Sequence, residues 1–429
     1  MVKVSLSKAA LLAVVVALSV LLIARDVFSY SLHKFVYLGI CAMGILLTDK
    51  NSFMQLLSFI FPLMCGLPGT YVLLVAVARF AVVEKFDKQT MLYILFVVMF
   101  EMVASIWYNT TLDNNMMHQM LAVSLLFIML HNHEGIDYYQ CLKMYWLGSI
   151  IVAFVIICST LMNAPSNWLS LFAKGWFRFG EDALSGRQTM TLRLNANTLA
   201  YYSLVSTMFG LIMIEREKRI KRAVIFVGTI FLMLSGILTV SRSWILIVSG
   251  CYGLYFLSRI KDIRYFIASC CAVALVVGAG IRLFETVPEL MNGITARMTD
   301  KTVSSGGGRA ELVVQYLGVI TRSIRIASIG VGTTYPMEVL GFEDAVHNGT
   351  IQILVSYGIL GSVVFFNGIL NPLRNKTENK APFSYCLPFI GCVLFIQTIQ
   401  FINPAYLIFP YVISVYAVFE GRSYMKQYS

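Results

Sequence analysis

The chain has 429 residues, of which 58% are hydrophobic and 13% are charged, and its formal net charge is +11. Soluble domains carry roughly 25% charged residues, so a soluble protein of this composition lacks the polar side chains needed to cover its surface. The mean hydropathy of +0.75 therefore predicts a membrane protein. In such a protein the basic residues orient the chain in the bilayer, and the positive charge does not indicate nucleic-acid binding.

Apolar segments recur along the whole chain, and a helix needs about 20 such residues to cross the hydrocarbon core. We predict an all-α, polytopic integral membrane protein with about fourteen transmembrane helices, forming one membrane domain over residues 1–429. The total is twelve or thirteen if any of the three short spans (33–48, 51–66 and 243–258) re-enters without crossing. The predicted spans are 8–25, 33–48, 51–66, 69–84, 89–108, 115–131, 141–162, 196–214, 222–240, 243–258, 263–284, 349–370, 383–401 and 404–420.

Basic residues are distributed unevenly between the segments that join these spans. With the N-terminus inside, most lysines and arginines fall in inside segments, and the short outside turns contain only Arg25, Lys34 and Arg242. This asymmetry follows the positive-inside rule and predicts that both termini are cytoplasmic. Two long polar segments, 163–195 and 285–348, then lie outside the membrane, where loops of this length are usually functional.

The second long loop contains a glycine-rich turn, Ser304–Gly308, which leads into a predicted amphipathic helix whose first turn holds Arg309. Free N–H groups and the dipole at a helix start favour an anion, and a guanidinium suits phosphate oxygens. The alternative is a flexible loop with a solvated arginine. At the end of this loop, His347 and Asn348 precede the span 349–370. His347 is a candidate general base or, alternatively, a polar cap for that helix.

Other arginines are predicted on the same side of the membrane. Arg187 and Arg193 lie near the end of the first long loop, and Asn197, four residues after Arg193, shares its helix face if the helix starts early. Arg242 lies in a turn between two apolar runs, where a charge is costly and usually paired, unless it reaches lipid headgroups. We predict that Arg193, Arg242, Arg309 and His347 converge in space.

Glu101 is the one acidic residue deep within a predicted span, in the outer half of 89–108. An ionisable group within a membrane is a functional candidate by default, so Glu101 is a candidate substrate-binding residue. The alternative is a structural bridge to an arginine. No Asp-x-Asp pair occurs in the sequence, so a metal-bridged reaction with a nucleotide sugar has no visible ligands.

Five short motifs occur in an order and at spacings that resemble the O-antigen ligase and O-antigen polymerase (Wzy-type) superfamily of bacterial surface-polysaccharide enzymes. The resemblance is specific over residues 185–365 and limited to topology elsewhere. One departure is Ala196, where the family often has proline before the Asn-x-Leu-Ala element, so either Arg187 or Arg193 is the functional arginine. The motifs are His347-Asn348-x9-Gly358-x-x-Gly361, Asn197–Ala200, Thr239–Arg242, Gly308-Arg309 and Gly330–Gly332.

The resemblance implies a glycosyltransferase of GT-C-like membrane architecture in the bacterial cytoplasmic (inner) membrane, with no cofactor and no metal. Its donor would be an oligosaccharide on polyprenyl diphosphate, commonly undecaprenyl diphosphate, and its product a capsular or O-antigen polysaccharide. A flippase and a chain-length regulator are the protein partners it implies. Arg193, Arg242 and Arg309 would stabilise the leaving diphosphate, and His347 would accept the proton of the acceptor hydroxyl. The acceptor and donor would contact Asn197, Asn348, Arg187 and Glu101.

Three functions remain open from the sequence. We favour a polymerase of repeat units, because polymerases are the more divergent and numerous branch of the superfamily. The His-Asn-x9-Gly-x-x-Gly match favours a ligase, which transfers the finished glycan to another acceptor. A transporter of lipid-linked oligosaccharides is the rival from a different class. Transporters often contain inverted repeats and broken helices, and the sequence indicates neither.

Overall fold

The computed structural model describes residues 6–30, 32–111, 113–163, 192, 194–239, 241–259, 278, 282, 309–374, 380–402 and 405–428. All regular secondary structure within these residues is helical. The helices are α1 Leu6–Asp26, α2 Lys34–Leu47, α3 Lys50–Leu63, α4 Gly69–Arg79, α5 Lys88–Tyr108, α6 Asn114–His131, α7 Tyr138–Asn163, α8 Ala196–Arg216, α9 Arg219–Leu238, α10 Arg242–Ser258, α11 Arg309–Arg322, α12 Ile324–Ile329, α13 Pro336–Leu340, α14 Gly349–Arg374, α15 Phe383–Ile396 and α16 Phe409–Tyr428. Two 3₁₀ turns, Met64–Gly66 and Ala405–Ile408, and a π-helical turn, Phe80–Glu84, complete the set.

The prediction of an all-α membrane protein is confirmed in its coarse form. Within the described residues, six helices are long and apolar enough to cross a bilayer, namely α1, α5, α7, α8, α9 and α14, while α2 and α15 are shorter apolar helices. The predicted span 263–284 lies almost wholly outside the described residues, as do most of the loop 163–195 and residues 285–308 of the second loop.

The centre of the bundle is α8, most of whose residues are buried and which packs against α7, α9, α10, α15 and α16. Small residues allow this packing. A Cβ added at Gly210 of α8 would lie 2.1 Å from Oγ1 of Thr229 on α9, and one added at Gly391 of α15 would lie 3.0 Å from Leu204 of α8. Close backbone approach through small residues is how helices associate without a hydrophobic driving force.

Polar contacts hold one end of this bundle together. They are made by Glu215 and Arg216, the last two residues of α8, and by Glu217, which follows the helix. Glu215 accepts hydrogen bonds from Arg259 at 2.6 Å, from Tyr255 at 2.7 Å and from Ser384 at 3.3 Å. Arg216 pairs with Glu420 of α16. These side chains join α8 to α10, α15 and α16, and they include Arg216 and Arg259, two of the arginines predicted to face the inside.

Glu217, the next residue, extends the same polar cluster to α7. It pairs with Lys143, and Tyr139 donates a hydrogen bond to it at 3.0 Å. The hydrogen bond from Lys143 holds the pKa of Glu217 below its ordinary value. Every charged group in the cluster has an oppositely charged partner. The cluster therefore has a structural role, joining the helices at the predicted cytoplasmic end.

α14 is a broken helix, which the sequence did not indicate. Gly358 has φ +62° and ψ −172°, so the chain leaves the helical path there and resumes it afterwards. This backbone conformation is essentially restricted to glycine. Residues 349–357 therefore form a separate half-helix, with His347 and Asn348 immediately before it. The expectation that the chain contains no broken helix was wrong.

Candidate active site

The half-helix 349–357 begins with a side-chain cap. Oδ1 of Asn348 accepts a hydrogen bond from the backbone N–H of Ile351 at 3.0 Å, and the Asn348 carbonyl accepts one from Gln352 at 2.9 Å. Asparagine is among the preferred N-cap residues because its side chain satisfies an N–H that lacks a helical partner. Asn348, which the sequence analysis assigned to substrate, thus also has a local structural role. His347 directly precedes it and is half-buried.

The start of the half-helix is fastened to the end of α15. Nδ2 of Asn348 donates to the carbonyl oxygen of Gln397 at 3.3 Å, and Oγ1 of Thr350 donates to Oε1 of Gln397 at 3.0 Å. Gln352, which is 3% exposed, accepts hydrogen bonds from the backbone N–H groups of residues 401 and 402 at 2.6 and 3.0 Å. The sequence analysis did not identify Gln352. The feature that could have indicated it is a glutamine within the first turn of an apolar span.

Arg242 and Asn197 lie at the same end of the bundle as Gln397. Ile247 and Cys251 of α10 face Gly391 of α15. Arg242 precedes Ile247 by five residues and Gln397 follows Gly391 by six, so in this antiparallel pair both lie about 8–9 Å beyond that level, at 1.5 Å per residue.

Asn197 lies at this same end of the bundle. Tyr201 of α8 stacks on Phe395 of α15 with ring centroids 5.2 Å apart, and its hydroxyl lies 2.9 Å from the sulfur of Cys392. Asn197 precedes Tyr201 by about one turn, towards the end where α15 meets the half-helix of α14. The opposite ends of these helices meet at Glu215. The starts of α8, α10 and α14 therefore share one end of the bundle.

The guanidinium of Arg242 lacks a protein counter-charge within the described part of the chain. Arg242 begins α10 and is half-buried, and none of the ion pairs between described residues includes it. The helices α9 and α10 pack closely near it, since a Cβ added at Gly236 would lie 2.2 Å from Cε2 of Trp244. A half-buried cation at this position can receive an anion from outside the protein.

Arg309 begins α11, as the sequence predicts for the residue after the glycine-rich turn. α11 contacts α12 and α14, and Tyr316 in its middle donates a hydrogen bond to the carbonyl oxygen of Asp344 at 3.0 Å. Burial raises the pKa of Tyr316 to about 12, so its hydroxyl keeps its proton. This hydrogen bond connects α11 to Asp344, which lies three residues before His347.

A small apolar cluster lies under the segment 309–348 and is separate from the main core. Tyr316 and Ile320 of α11 pack with Val331, Val346 and Val355. Each of these side chains is 7% exposed or less. The residues 309–348 thus fold onto the half-helix of α14 as a compact cap.

Glu101 lies beneath this cap, and its carboxylate is already engaged. The side chain is 1% exposed and accepts hydrogen bonds from Oγ1 of Thr333 at 2.6 Å and from the Thr333 backbone N–H at 3.1 Å. Sequence reasoning expected Glu101 to contact substrate or to bridge an arginine, and it missed Thr333. The feature that could have indicated Thr333 is a hydroxyl residue directly after the Gly-x-Gly turn.

The C-terminal end of α5 holds the same segment at further points. The Arg325 guanidinium lies 4.2 Å from the ring of Trp107 and 4.5 Å from that of Tyr108, a cation–π arrangement. Beyond α5, Tyr335 donates a hydrogen bond to Asp113. That hydrogen bond is the main reason that the pKa of Asp113 is lowered and the pKa of Tyr335 is raised.

Arg187 and Arg193 lie outside the described residues, and the structure describes the backbone of Arg309 but not its side chain. The neighbouring Leu192 lies at the C-terminal end of α1, where its N–H donates to Oδ1 of Asp26 at 3.4 Å. Asp26 in turn pairs with the buried Arg25 at 2.8 Å.

The described residues contain no group of three or more histidine, cysteine, aspartate or glutamate side chains placed to hold a metal ion. What they bring to one end of the bundle is an unpaired arginine, a histidine and two asparagines. A guanidinium stabilises negative charge that develops on a leaving diphosphate, and an imidazole accepts a proton from a hydroxyl. The arrangement suits transfer of a group from a phosphorylated donor to an alcohol.

No model of a known protein family matches the chain, and no curated protein sequence matches it.

Proposed function

We propose that this chain polymerises polyprenyl-diphosphate-linked oligosaccharide repeat units into a capsular or O-antigen polysaccharide, on the outer face of the bacterial cytoplasmic membrane. In this proposal about fourteen helices span the membrane in a GT-C-like arrangement, with both termini in the cytoplasm. The observation that carries the proposal is the half-buried Arg242, which pairs with no carboxylate among the described residues, at the end of the bundle where His347 precedes its half-helix.

The proposed reaction is a direct displacement. The acceptor hydroxyl attacks the anomeric carbon of the donor sugar, the bond to the diphosphate oxygen breaks, and His347 takes the hydroxyl proton. Arg242 and Arg309, with Arg193 or Arg187, hold the diphosphate as its charge increases. One displacement inverts the anomeric centre.

Reconstitution tests the proposal. Purified protein in liposomes is given only the polyprenyl-diphosphate-linked repeat unit, and products are separated by size. A ladder of lipid-linked oligomers that disappears with His347→Ala supports the polymerase. Transfer only after a second, non-identical acceptor is added would identify a ligase instead, and an unchanged ladder in the His347→Ala variant would remove His347 from the mechanism.

The broken helix α14 gives the transporter a specific observation in its favour, since transporters often use interrupted helices at their binding sites. Here, however, backbone hydrogen bonds from Val331 and Gly332 cover the break, which explains it without a transported ligand. Movement of fluorescent lipid-linked oligosaccharide between leaflets, without any new glycosidic bond, would establish the transporter and overturn the enzyme.

A further inference from the structure

The contact between Glu101 and Thr333 links a transmembrane helix to the external cap. Both carboxylate oxygens face the Thr333 N–H, at 3.1 and 3.2 Å, and the hydroxyl donates at 2.6 Å. A buried carboxyl group is costly unless hydrogen bonds satisfy it, and in a membrane span the cost usually marks a function. The donors that satisfy Glu101 here are the backbone N–H and the hydroxyl of Thr333.

The residues beside Thr333 bind the break in α14. The backbone N–H groups of Val331 and Gly332 donate to the carbonyl oxygens of Val355 and Ser356 at 3.0 and 2.9 Å. These carbonyls belong to the last turn of the half-helix, where helical donors run out. The residues 331–333 therefore lie between α5 and the half-helix and touch both.

The turn that contains Gly330 and Gly332 packs closely against both α5 and α14. A Cβ added at Gly332 would lie 3.1 Å from Cβ of Ala104 and 3.3 Å from Oε2 of Glu101. One added at Gly330 would lie 2.3 Å from the carbonyl oxygen of Ser356. Both glycines have positive φ, +85° and +81°. The turn is shaped to present its N–H groups to α5 on one side and to α14 on the other.

We propose that Glu101 is a positioning residue that sets the location of His347 and Asn348 through this turn. Glu101 holds Thr333, the turn holds the end of the half-helix, and the half-helix carries His347 and Asn348 at its start. Over nine residues the half-helix is about 13 Å long, so a tilt at its Ser356 end displaces His347. The link to catalysis rests on the function proposed above, whereas the link to the turn does not.

Hydrogen–deuterium exchange on the intact protein in lipid nanodiscs tests the structural link. Glu101→Leu removes the acceptor, Thr333→Val removes the hydroxyl but keeps the shape, and Glu101→Gln keeps an acceptor oxygen without the charge. Ser105→Ala is the matched control, because Ser105 is buried on the same helix and donates to the carbonyl oxygen of Thr110 instead.

We expect amide exchange in residues 330–335 to accelerate about tenfold in Glu101→Leu, as loss of a buried hydrogen bond implies. It should accelerate less in Thr333→Val and stay at the wild-type rate in Ser105→Ala and close to it in Glu101→Gln. If Glu101→Leu fails to insert, Thr333→Val carries the test. Wild-type exchange in every variant that inserts overturns the inference.

The activity of the same variants separates positioning from direct chemistry. A positioning role predicts that kcat falls in Glu101→Leu and Thr333→Val and is largely retained in Glu101→Gln. Wild-type exchange with complete loss of activity in Glu101→Gln would show that the carboxylate acts on substrate, and would overturn the positioning role. If the wild-type protein forms no polymer, the proposed function fails, while accelerated exchange still supports the role of Glu101 in holding the turn.

Discussion

The backbone N–H of Gly332 donates a hydrogen bond to the carbonyl oxygen of Ser356 over 2.9 Å, two residues before the break at Gly358. This bond joins two motifs that the sequence presents as separate, the Gly-x-Gly turn and the His-Asn-x9-Gly signature. The glycines of both motifs are needed because the two backbones touch. A Cβ added at Gly358 would lie 2.5 Å from the carbonyl oxygen of Ser328.

The break at Gly358 should therefore be sensitive to a single methyl group. Gly358→Ala combines a positive φ with a backbone collision, and we expect a substantial loss of thermal stability in detergent. Gly318→Ala is the matched control, because a Cβ there meets nothing within 4 Å and alanine in a helix is favoured by up to about 1 kcal/mol. Equal melting temperatures for the two variants would contradict a strained break.

Asn348 should be separable into a capping role and a substrate role. Asn348→Ala is expected to destabilise the protein by about 1 kcal/mol through loss of the N-cap. Asn348→Ser restores a capping oxygen but removes the amide, which also donates to the Gln397 carbonyl oxygen, so stability should recover in part. Thermal melting and polymerisation assays are compared for both variants. Activity that recovers together with stability would rule out a substrate contact by the amide.

Arg242 should matter to the reaction rather than to folding, because no described carboxylate pairs with it. Arg242→Ala is expected to lower kcat by about 100-fold, as for loss of one group that stabilises transition-state charge, with little change in melting temperature. Arg322→Ala is the control, since Arg322 is exposed at the end of α11. A similar loss in both variants would indicate a general effect of external positive charge.

The pair of Arg216 and Glu420 should behave as a structural ion pair. Its side chains are 29% and 9% exposed, and loss of a hydrogen bond between charged groups costs about 2 kcal/mol. Arg216→Glu should lower the melting temperature, and adding Glu420→Arg should restore part of it. Failure of the double variant to recover would mean that Arg216 acts through Tyr139, whose ring lies 4.1 Å from its guanidinium.

The bond from Tyr335 to Asp113 should weaken in acid. Because the pKa of Asp113 in the folded protein lies below the ordinary value of 3.8, the bond stabilises the protein above that pH and its contribution disappears as the pH falls through the lowered value. Tyr335→Phe removes the bond. The difference in melting temperature between wild type and Tyr335→Phe should be constant from pH 7 to about 5 and should shrink below 3.8. A constant difference across this range would contradict the assignment.

Much of the fold follows from the sequence because hydrophobic length is a local property. α1, α5, α7, α8 and α9 lie where apolar runs predict spans. Arg309 starts a helix, as expected after a glycine-rich turn. The break in α14 was missed, because Gly358 lies inside an apolar run that satisfies every local criterion for one continuous helix. The cause of the break is a turn more than twenty residues earlier.

The sequence by itself determined that this chain lies in a membrane, which segments are apolar enough to cross it and which polar residues stand between them, because solvation and helix length act along the chain. Only the tertiary structure decided that Glu101 meets Thr333, that Asn348 and Gln352 fasten α14 to the region after α15, and that Arg242 pairs with none of the carboxylates in the described part of the chain. Those outcomes depend on which helices become neighbours. Contacts between distant residues, rather than local preference, select the hydrogen-bond partner of each buried polar group.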